Sequence, residues 1–218
     1  MSEAGTDRHA APSQLGGSRT VGVDMDLTLL DTRAATAVAV REVNRQCCES
    51  VDVDDFVAQI GPPIRQLLGR WVPDDRVDAA IAVYRSAFLS QGLALLTPLP
   101  GAHSLAVEVR RRNGRLVVIT SRLTEIARSC LSASGLEADT VVGGVTGIEK
   151  GSAMTDNAVE VYLGDHPLDM QGARSVGVTA VGVLTGNHTA DELRGAGAVH
   201  VVKDLAEFVN TMKQYPGD

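Results

Sequence analysis

The chain has few of the features that mark secreted, membrane or nucleic-acid-binding proteins. Its three cysteines, Cys47, Cys48 and Cys130, are odd in number and two are adjacent, so a disulfide framework is not expected and a reducing compartment, the cytoplasm by default, is favoured. No stretch approaches the length of a membrane span, and the opening MSEAGTDRHAAPSQLGGSR has no apolar segment typical of a secretory signal.

The charge balance argues against broad binding of nucleic acids or anionic membranes. The formal net charge is −7 and the isoelectric point is near 5.2, whereas such partners require a clustered basic face. The basic run Arg110-Arg111-Arg112 is interpreted as the cationic last turn of a helix that stops at Asn113-Gly114. Neither a nucleic acid nor an anionic membrane is therefore expected as a partner.

The stretch VGVDMDLTLL, residues 21–30, is the part of the chain around which the site is predicted to form. It reads as a buried strand that ends in Asp24 and Asp26. Open parallel sheets bind ligands at the carboxyl ends of their strands. Two carboxylates so close together need a cation, a proton or hydrogen-bond donors to offset their repulsion.

Polar residues that could act with these carboxylates follow two further apolar runs. Thr120 and Ser121 end the run 116–121, Lys150 follows a glycine-rich stretch, and Asp165 and Asp169 come after the run 159–163. Alone, each has an ordinary interpretation as a cap, a turn or a surface residue. Their order, each after an apolar run, is what indicates a shared site.

The periodicity of the remaining residues predicts an α/β core with an all-helical insertion. Apolar residues recur at helical spacing throughout 33–95, and this block is too long for an ordinary crossover. Beyond it, short β-rich runs alternate with helices, as in a doubly wound parallel sheet. The predicted division is a disordered tail at 1–19, a core at 20–32 and 96–218, and an inserted subdomain at 33–95.

This order of motifs resembles the haloacid dehalogenase superfamily of phosphohydrolases, and most of all its phosphoglycolate phosphatase-like branch with a helical cap. Members of that superfamily show Asp-x-Asp-x-Thr, a Thr or Ser after a strand, a Lys, and an acidic pair after a further strand. The resemblance covers about residues 20 to 203. It implies a Rossmann-like core and a cap at 33–95, and its implied catalytic residues are Asp24, Asp26, Thr120 and Lys150.

The resemblance further implies a Mg²⁺-dependent phosphatase. Asp24 would attack phosphorus to give an aspartyl phosphate, and Asp26 would exchange protons with the leaving alcohol and with water. The implied metal ligands are the carboxylate of Asp24, the backbone carbonyl of Asp26 and Asp165, with Asp169 close by as a ligand or support. Mg²⁺ prefers such oxygen ligands.

The predicted substrate is a small, acidic phosphate monoester bound beneath a lid. Thr28 is expected to orient the first loop and Ser121 to face the substrate, while Arg65, in the turn Gly61-Pro62-Pro63-Ile64-Arg65, offers a fork for a second anionic group. An equally good interpretation is that Arg65 is an exposed arginine at the start of a helix and has no role in binding.

Three departures from the pattern of the superfamily keep other functions open. Leu27 stands where many relatives have Gly, and Ser121 stands where many have Asn. In addition, only 14 residues separate Lys150 from Asp165. Because of this short spacing, either the intervening helix is shortened or Lys150 is not the motif lysine. The alternatives are a sugar phosphomutase, or a catalytically degenerate module that accepts or binds a phosphoryl group.

Overall fold

The computed structural model of the protein describes residues 20–214. The predicted tail, residues 1–19, lies outside them. Eight strands follow one another along the described chain: β1 (Thr20–Val23), β2 (Leu30–Asp31), β3 (Thr97–Pro98), β4 (Arg115–Thr120), β5 (Thr140–Gly143), β6 (Val161–Gly164), β7 (Thr179–Val183) and β8 (His200–Val202).

Six of these strands form one parallel sheet with the order β5-β4-β1-β6-β7-β8. Along β4 the apolar side chains point alternately to the two faces, with Val118 in one packed cluster and Val117 and Ile119 in the other. Apolar runs such as this one suit a sheet that is covered on both faces. The predicted fold class, a doubly wound parallel sheet, is confirmed.

The chain leaves β1 for one side of the sheet and later returns to the other side, so β1 lies between β4 and β6. This reversal makes the carboxyl end of β1 the place where ligands bind in such sheets. The helices that cover the sheet are α5 (Ala102–Arg111), α6 (Thr124–Ala133), α7 (Ile148–Asp156), α8 (Pro167–Ser175), α9 (Ala190–Ala196) and α10 (Leu205–Gln214).

A helical block lies between β2 and β3. Its helices are α1 (Arg33–Cys47), α2 (Val53–Ala58), α3 (Ile64–Leu68) and α4 (Val77–Ala87), followed by a π-helical turn (Phe88–Gly92) and a 3₁₀ turn (Leu93–Leu95). The strands β2 and β3 pair antiparallel, so the chain enters and leaves the block at one place. We refer to residues 33–95 as the cap. Cap residues such as Phe56 share one packed cluster with Val118 of the sheet.

The arginine run lies at a helix end, as predicted, whereas Ser121 is not a helix cap. The first two residues of the arginine run lie in the last turn of α5, and Thr189 with Glu192 forms a capping box at the start of α9. Ser121 does not cap α6, because that helix begins at Thr124 and the Ser121 hydroxyl instead donates to the Gly61 carbonyl of the cap. Between residues 20 and 214, no helix has the length and apolar character needed to cross a membrane.

Candidate active site

Three carboxylates converge at the carboxyl ends of β1 and β6. Asp24 directly follows β1, and its backbone N–H donates to the Leu163 carbonyl of β6 (2.9 Å). Asp165 directly follows β6, and Asp169 lies in the first turn of α8. One oxygen from each of the three buried side chains lies within 4.8 Å of the others. Neighbouring strand ends therefore bring together the acids predicted from the two separate runs.

Lys150 lies among these acids. It belongs to the first turn of α7, and its Nζ donates to Asp24 Oδ1 (2.8 Å) and to Asp169 Oδ1 (2.5 Å). It also donates to the hydroxyl of buried Tyr162 (3.3 Å), which in turn donates to the Ile119 carbonyl (2.9 Å). The short α7 thus begins before Lys150, and the brief spacing to Asp165 still allows the ammonium group to reach Asp24.

One ammonium group does not balance three buried carboxylates. Burial is the main reason that the pKa of Asp24 is raised from 3.8 to about 7, and Lys150 opposes that rise. Burial, followed by the charge of Asp24, raises the pKa of Asp165 well above its usual range. Although burial disfavours its charged form, Asp169 and Asp24 raise the pKa of Lys150. The cluster needs further positive charge to be fully ionised at neutral pH.

The carboxylate oxygens of this cluster suit a hard divalent cation, which prefers such ligands and keeps part of its water shell. Around Asp165, Thr28 Oγ1 donates to Oδ1 (2.9 Å) and fixes the carboxylate. A Cβ on Gly186 would lie 1.9 Å from Asp165 Oδ2, so only glycine lets the backbone approach here. The residues that would hold the cation are Asp24, Asp165 and Asp169.

The N-terminus of α8 fixes Asp169 in place. His166 is the N-cap: its Nδ1 accepts from Leu168 N–H (3.0 Å), while Asp169 Oδ2 accepts from His166 N–H (3.3 Å). This reciprocal arrangement satisfies two helix-end donors. Burial lowers the pKa of His166 to about 4, so a neutral ring serves as the cap at neutral pH.

A buried arginine holds the carboxylate of Asp26. Arg122 holds its carboxylate through Nε (2.9 Å to each oxygen) and Nη2 (2.7 Å to Oδ1), and Thr32 Oγ1 donates to Oδ1 (2.7 Å). The guanidinium carbon of Arg122 lies 3.9 Å from the centre of the Phe88 ring, as in a cation–π contact. Sequence reasoning missed Arg122, although it directly follows the Thr120-Ser121 pair.

The predicted substrate-side residues are only partly brought together. Thr120 is fully buried at the end of β4, where its hydroxyl accepts from Arg122 N–H (3.2 Å). Ser121 contacts the cap through Gly61, as described above. Arg65 does not reach the carboxylates: its guanidinium pairs with Asp78, and both side chains are largely exposed (58% and 79%). Its guanidinium is thus engaged by a cap residue, at a groove that Ser121 also lines.

Leu27, which stands where many members of the superfamily have glycine, adopts a backbone conformation that favours glycine. Its φ is +57°, in the left-handed region, while its side chain is fully buried. Glycine enters this region without strain, whereas leucine pays a cost of about 1–2 kcal/mol. The buried side chain offsets that cost by roughly 1.5–3 kcal/mol. The loop that carries Asp24 and Asp26 therefore accommodates leucine at this left-handed position.

Comparison with known proteins agrees with this geometry. The sequence profile of the family described as haloacid dehalogenase-like hydrolase matches residues 23–183. A curated relative, probable phosphatase IndB of Dickeya dadantii, is 30% identical over 85% of this chain and 90% of its own length. Phosphoglycolate phosphatase of Caulobacter vibrioides is 27% identical over 86% of this chain and 88% of its own length.

Two further proteins resemble this chain over different shares of their own length. Tyrosine-protein kinase PtkA of Mycobacterium tuberculosis is 27% identical over 77% of this chain, but the match spans only 62% of the kinase. Among solved structures, a haloacid dehalogenase-like family hydrolase from Streptococcus pneumoniae superposes with a TM-score of 0.78 at 17% identity, covering 89% of this chain and 98% of that one. This likeness concerns the fold alone.

Proposed function

The chain belongs to the haloacid dehalogenase-like hydrolase family, and on that premise we propose that it is a Mg²⁺-dependent phosphatase that hydrolyses a small phosphate monoester through an aspartyl-phosphate intermediate. The observation that carries the proposal is the contact of Lys150 with Asp24 (2.8 Å) inside a cluster of three buried carboxylates. The phosphatases among its relatives support the reaction class.

The positive charges of the site are suited to a dianionic substrate. Asp24, Asp165 and Asp169 would hold Mg²⁺, which would offset the repulsion of the nucleophile and the substrate phosphate. Lys150 contributes a second charge directly at the nucleophile, and Thr120 offers its hydroxyl to a phosphoryl oxygen. Such fixed charges act without reorganisation during the reaction.

The reaction proceeds in two displacements at phosphorus. Asp26 takes up a proton from solvent as the dianionic substrate binds beside its ion pair with Arg122. A carboxylate oxygen of Asp24 then attacks phosphorus and forms a P–O bond while the bond to the leaving oxygen breaks, and Asp26 gives that proton to the leaving alkoxide. Water attacks phosphorus and passes a proton to Asp26 as the bond to Asp24 breaks. As inorganic phosphate leaves, Asp26 releases the proton to solvent, and both carboxylates are again ionised.

Release of phosphate by wild type and by Asp24→Asn tests this proposal. We expect phosphate release from several monoesters with Mg²⁺, none with EDTA, and none by the variant, which loses the nucleophile without a change of shape. A rapidly quenched sample should carry the added mass of one phosphoryl group on Asp24. Asp191→Asn is the matched control, because that side chain is 97% exposed on α9.

Two other outcomes of the same assay favour the alternative functions. A requirement for a bisphosphate activator, without net phosphate release, indicates a phosphomutase. A phosphorylated form that persists without turnover indicates a phosphoryl-accepting module. Full activity of Asp24→Asn contradicts the mechanism itself.

We also propose a cytoplasmic location. All three cysteines are free thiols and one, Cys130, is buried. This pattern is typical of proteins that work in a reducing compartment.

A further inference from the structure

A cavity opens beside Asp26, between the cap and the core. Its enclosed volume is about 60 Å³, beyond which it opens to solvent. Its walls are mainly apolar and come from α2, α3, the loop between them and α6: Phe56, Ile60, Ile64, Leu67, Leu123 and Ile126. Such a wall is adapted to an apolar group.

The aromatic residues of the chain are concentrated around this cavity. The sequence contains only three Phe, three Tyr and one Trp, and four of these seven lie together in the cap. Ring centres lie 5.8 Å apart for Phe56 and Trp71, 6.1 Å for Phe56 and Tyr84, and 6.0 Å for Tyr84 and Phe88. Phe56 and Tyr84 line the cavity directly. These rings are suited to contact a planar apolar body.

Several polar groups at the cavity already have partners within the protein. Arg122 is engaged by Asp26 and by the Phe88 ring. The Tyr84 hydroxyl donates to Thr36 Oγ1 (3.4 Å), and Ser121 donates to the cap as described above. Arg85 also lines the cavity, where it joins a second groove that includes Arg65. A ligand with many hydroxyl groups would find few donors or acceptors along the apolar walls.

The position of Asp26 fixes which part of the substrate enters. The leaving oxygen must come within reach of the residue that exchanges protons with it, and Asp26 is part of the cavity wall. The body of the leaving alcohol therefore extends from Asp26 into the cavity, while the phosphoryl group lies toward Asp24.

We propose that the preferred substrate is the phosphate monoester of an apolar alcohol with a ring or a branched chain, held against Phe56 and Tyr84. This inference rests on the proposed phosphatase activity. A two-carbon acid would leave the apolar walls without contact, and a sugar would lose hydrogen bonds to water without replacement. The preference thus differs from the acidic substrate expected from Arg65.

The test compares benzyl phosphate, glucose 6-phosphate and phosphoglycolate. All three are esters of primary alcohols, so the comparison reports the fit of the leaving group more than its chemical reactivity. Burial of the benzyl ring should raise kcat/KM on the order of 10²-fold over glucose 6-phosphate. Equal values, or a preference for phosphoglycolate, would overturn the inference while leaving the phosphatase proposal intact.

A matched pair of variants locates the effect in the cavity. Ile64 is only partly buried in the cavity wall, so Ile64→Asn should fold, and it should lower kcat/KM for benzyl phosphate about 10-fold without changing that for phosphoglycolate. Val107→Asn, on the outer surface of α5 where the residue is 64% exposed, should change neither. An equal loss on both substrates by Ile64→Asn contradicts the assignment.

Binding of an unreactive analogue gives a readout that does not depend on turnover. Trp71 is the only tryptophan of the sequence and contacts Phe56 at the cavity wall. Benzylphosphonate should therefore change the tryptophan fluorescence of the wild-type protein in a saturable way, and phosphonoacetate should not. If no monoester is hydrolysed, the phosphatase proposal fails, and this measurement alone decides whether the cavity accepts an apolar ligand. No change with benzylphosphonate refutes the inference.

Discussion

Replacement of Arg122 by methionine should destabilise the protein strongly. The guanidinium group bonds both oxygens of Asp26, and the two side chains are only 12% and 8% exposed. Methionine preserves most of the volume but leaves a buried carboxylate with Thr32 as its only remaining side-chain donor in the described part of the chain. Loss of one partner from a buried pair leaves the other charge uncompensated.

The expected cost follows from this burial. Breaking a buried ion pair costs about 3–5 kcal/mol, and loss of the cation–π contact with Phe88 contributes to the same total. In a chain of this size, each kcal/mol lowers Tm by about 2–4 °C, so the expected decrease is roughly 6–20 °C. The variant should also turn over substrate more slowly, because Asp26 is no longer held in one position.

Urea and thermal unfolding of a double-mutant cycle measure the effect. Arg122→Met, Asp26→Asn and the double variant should show non-additivity of about 0.5–3 kcal/mol, with the double variant more stable than Arg122→Met. Arg110→Met is the matched control, since Arg110 pairs with Glu137 at the surface and both side chains are largely exposed (69% and 77%). That pair should contribute less than about 1 kcal/mol.

Two results would refute this reasoning. One is a cost for Arg122→Met that is no larger than the cost for Arg110→Met. The other is a double variant in which the costs of the single substitutions simply add. Either result would mean that water or another group compensates Asp26 in solution.

Three further predictions concern the metal cluster, an ion pair in the core and the cap. Mg²⁺ at about 100 times its Kd should raise the free energy of unfolding by about 2.7 kcal/mol, and Asp165→Asn should remove most of this gain; stabilisation unchanged in that variant would place the ion elsewhere. A hydrogen bond from Arg111 is the main reason that the pKa of buried Glu108 is lowered from 4.5 to about 2. Glu108→Gln should therefore lower the free energy of unfolding at pH 7 by about 1–3 kcal/mol, a range that allows for the exposure of Arg111 to solvent. Because the ionised form is the one stabilised by folding, the difference from wild type should persist above pH 4.5 and shrink as the pH falls toward 2, as measured by urea unfolding. Arg65→Ala should leave kcat/KM for acidic and neutral monoesters unchanged, since Arg65 pairs with Asp78; a selective loss on acidic substrates would restore the substrate preference predicted from the sequence.

Much of the fold and the order of the polar residues could be predicted from local patterns. Apolar runs of four to six residues, separated by helical periodicity, indicate parallel strands, because such strands are buried on both faces. Asp24, Thr120 and Asp165 each follow such a run. Since the carboxyl ends of parallel strands meet at one edge, their proximity could be expected before any coordinates were known. Their chemical roles remain predictions.

Contacts between the cap and the core could not be predicted in the same way. Arg65 and Arg122 are similar in the sequence, since each follows a short motif at a helix boundary. Only the packing of α4 and its π-helical turn against the core places Phe88 beneath Arg122, while Arg65 pairs with Asp78 within the cap. The partner of a long, flexible side chain is set by residues distant in sequence, and periodicity carries no information about them.

The cavity beside Asp26, like these contacts, arises from packing between elements that are distant in the sequence. Phe56, Tyr84 and Ile126 belong to three helices, and each has the burial pattern of an ordinary core residue in its own helix. Helical periodicity identifies the apolar face of each helix but not the gap that remains when three such faces meet. Strand patterns and motif order, which are local properties, indicated the reaction class. The shape of the space beside Asp26 depends on packing across the whole chain, and only the structure could suggest the leaving group proposed above.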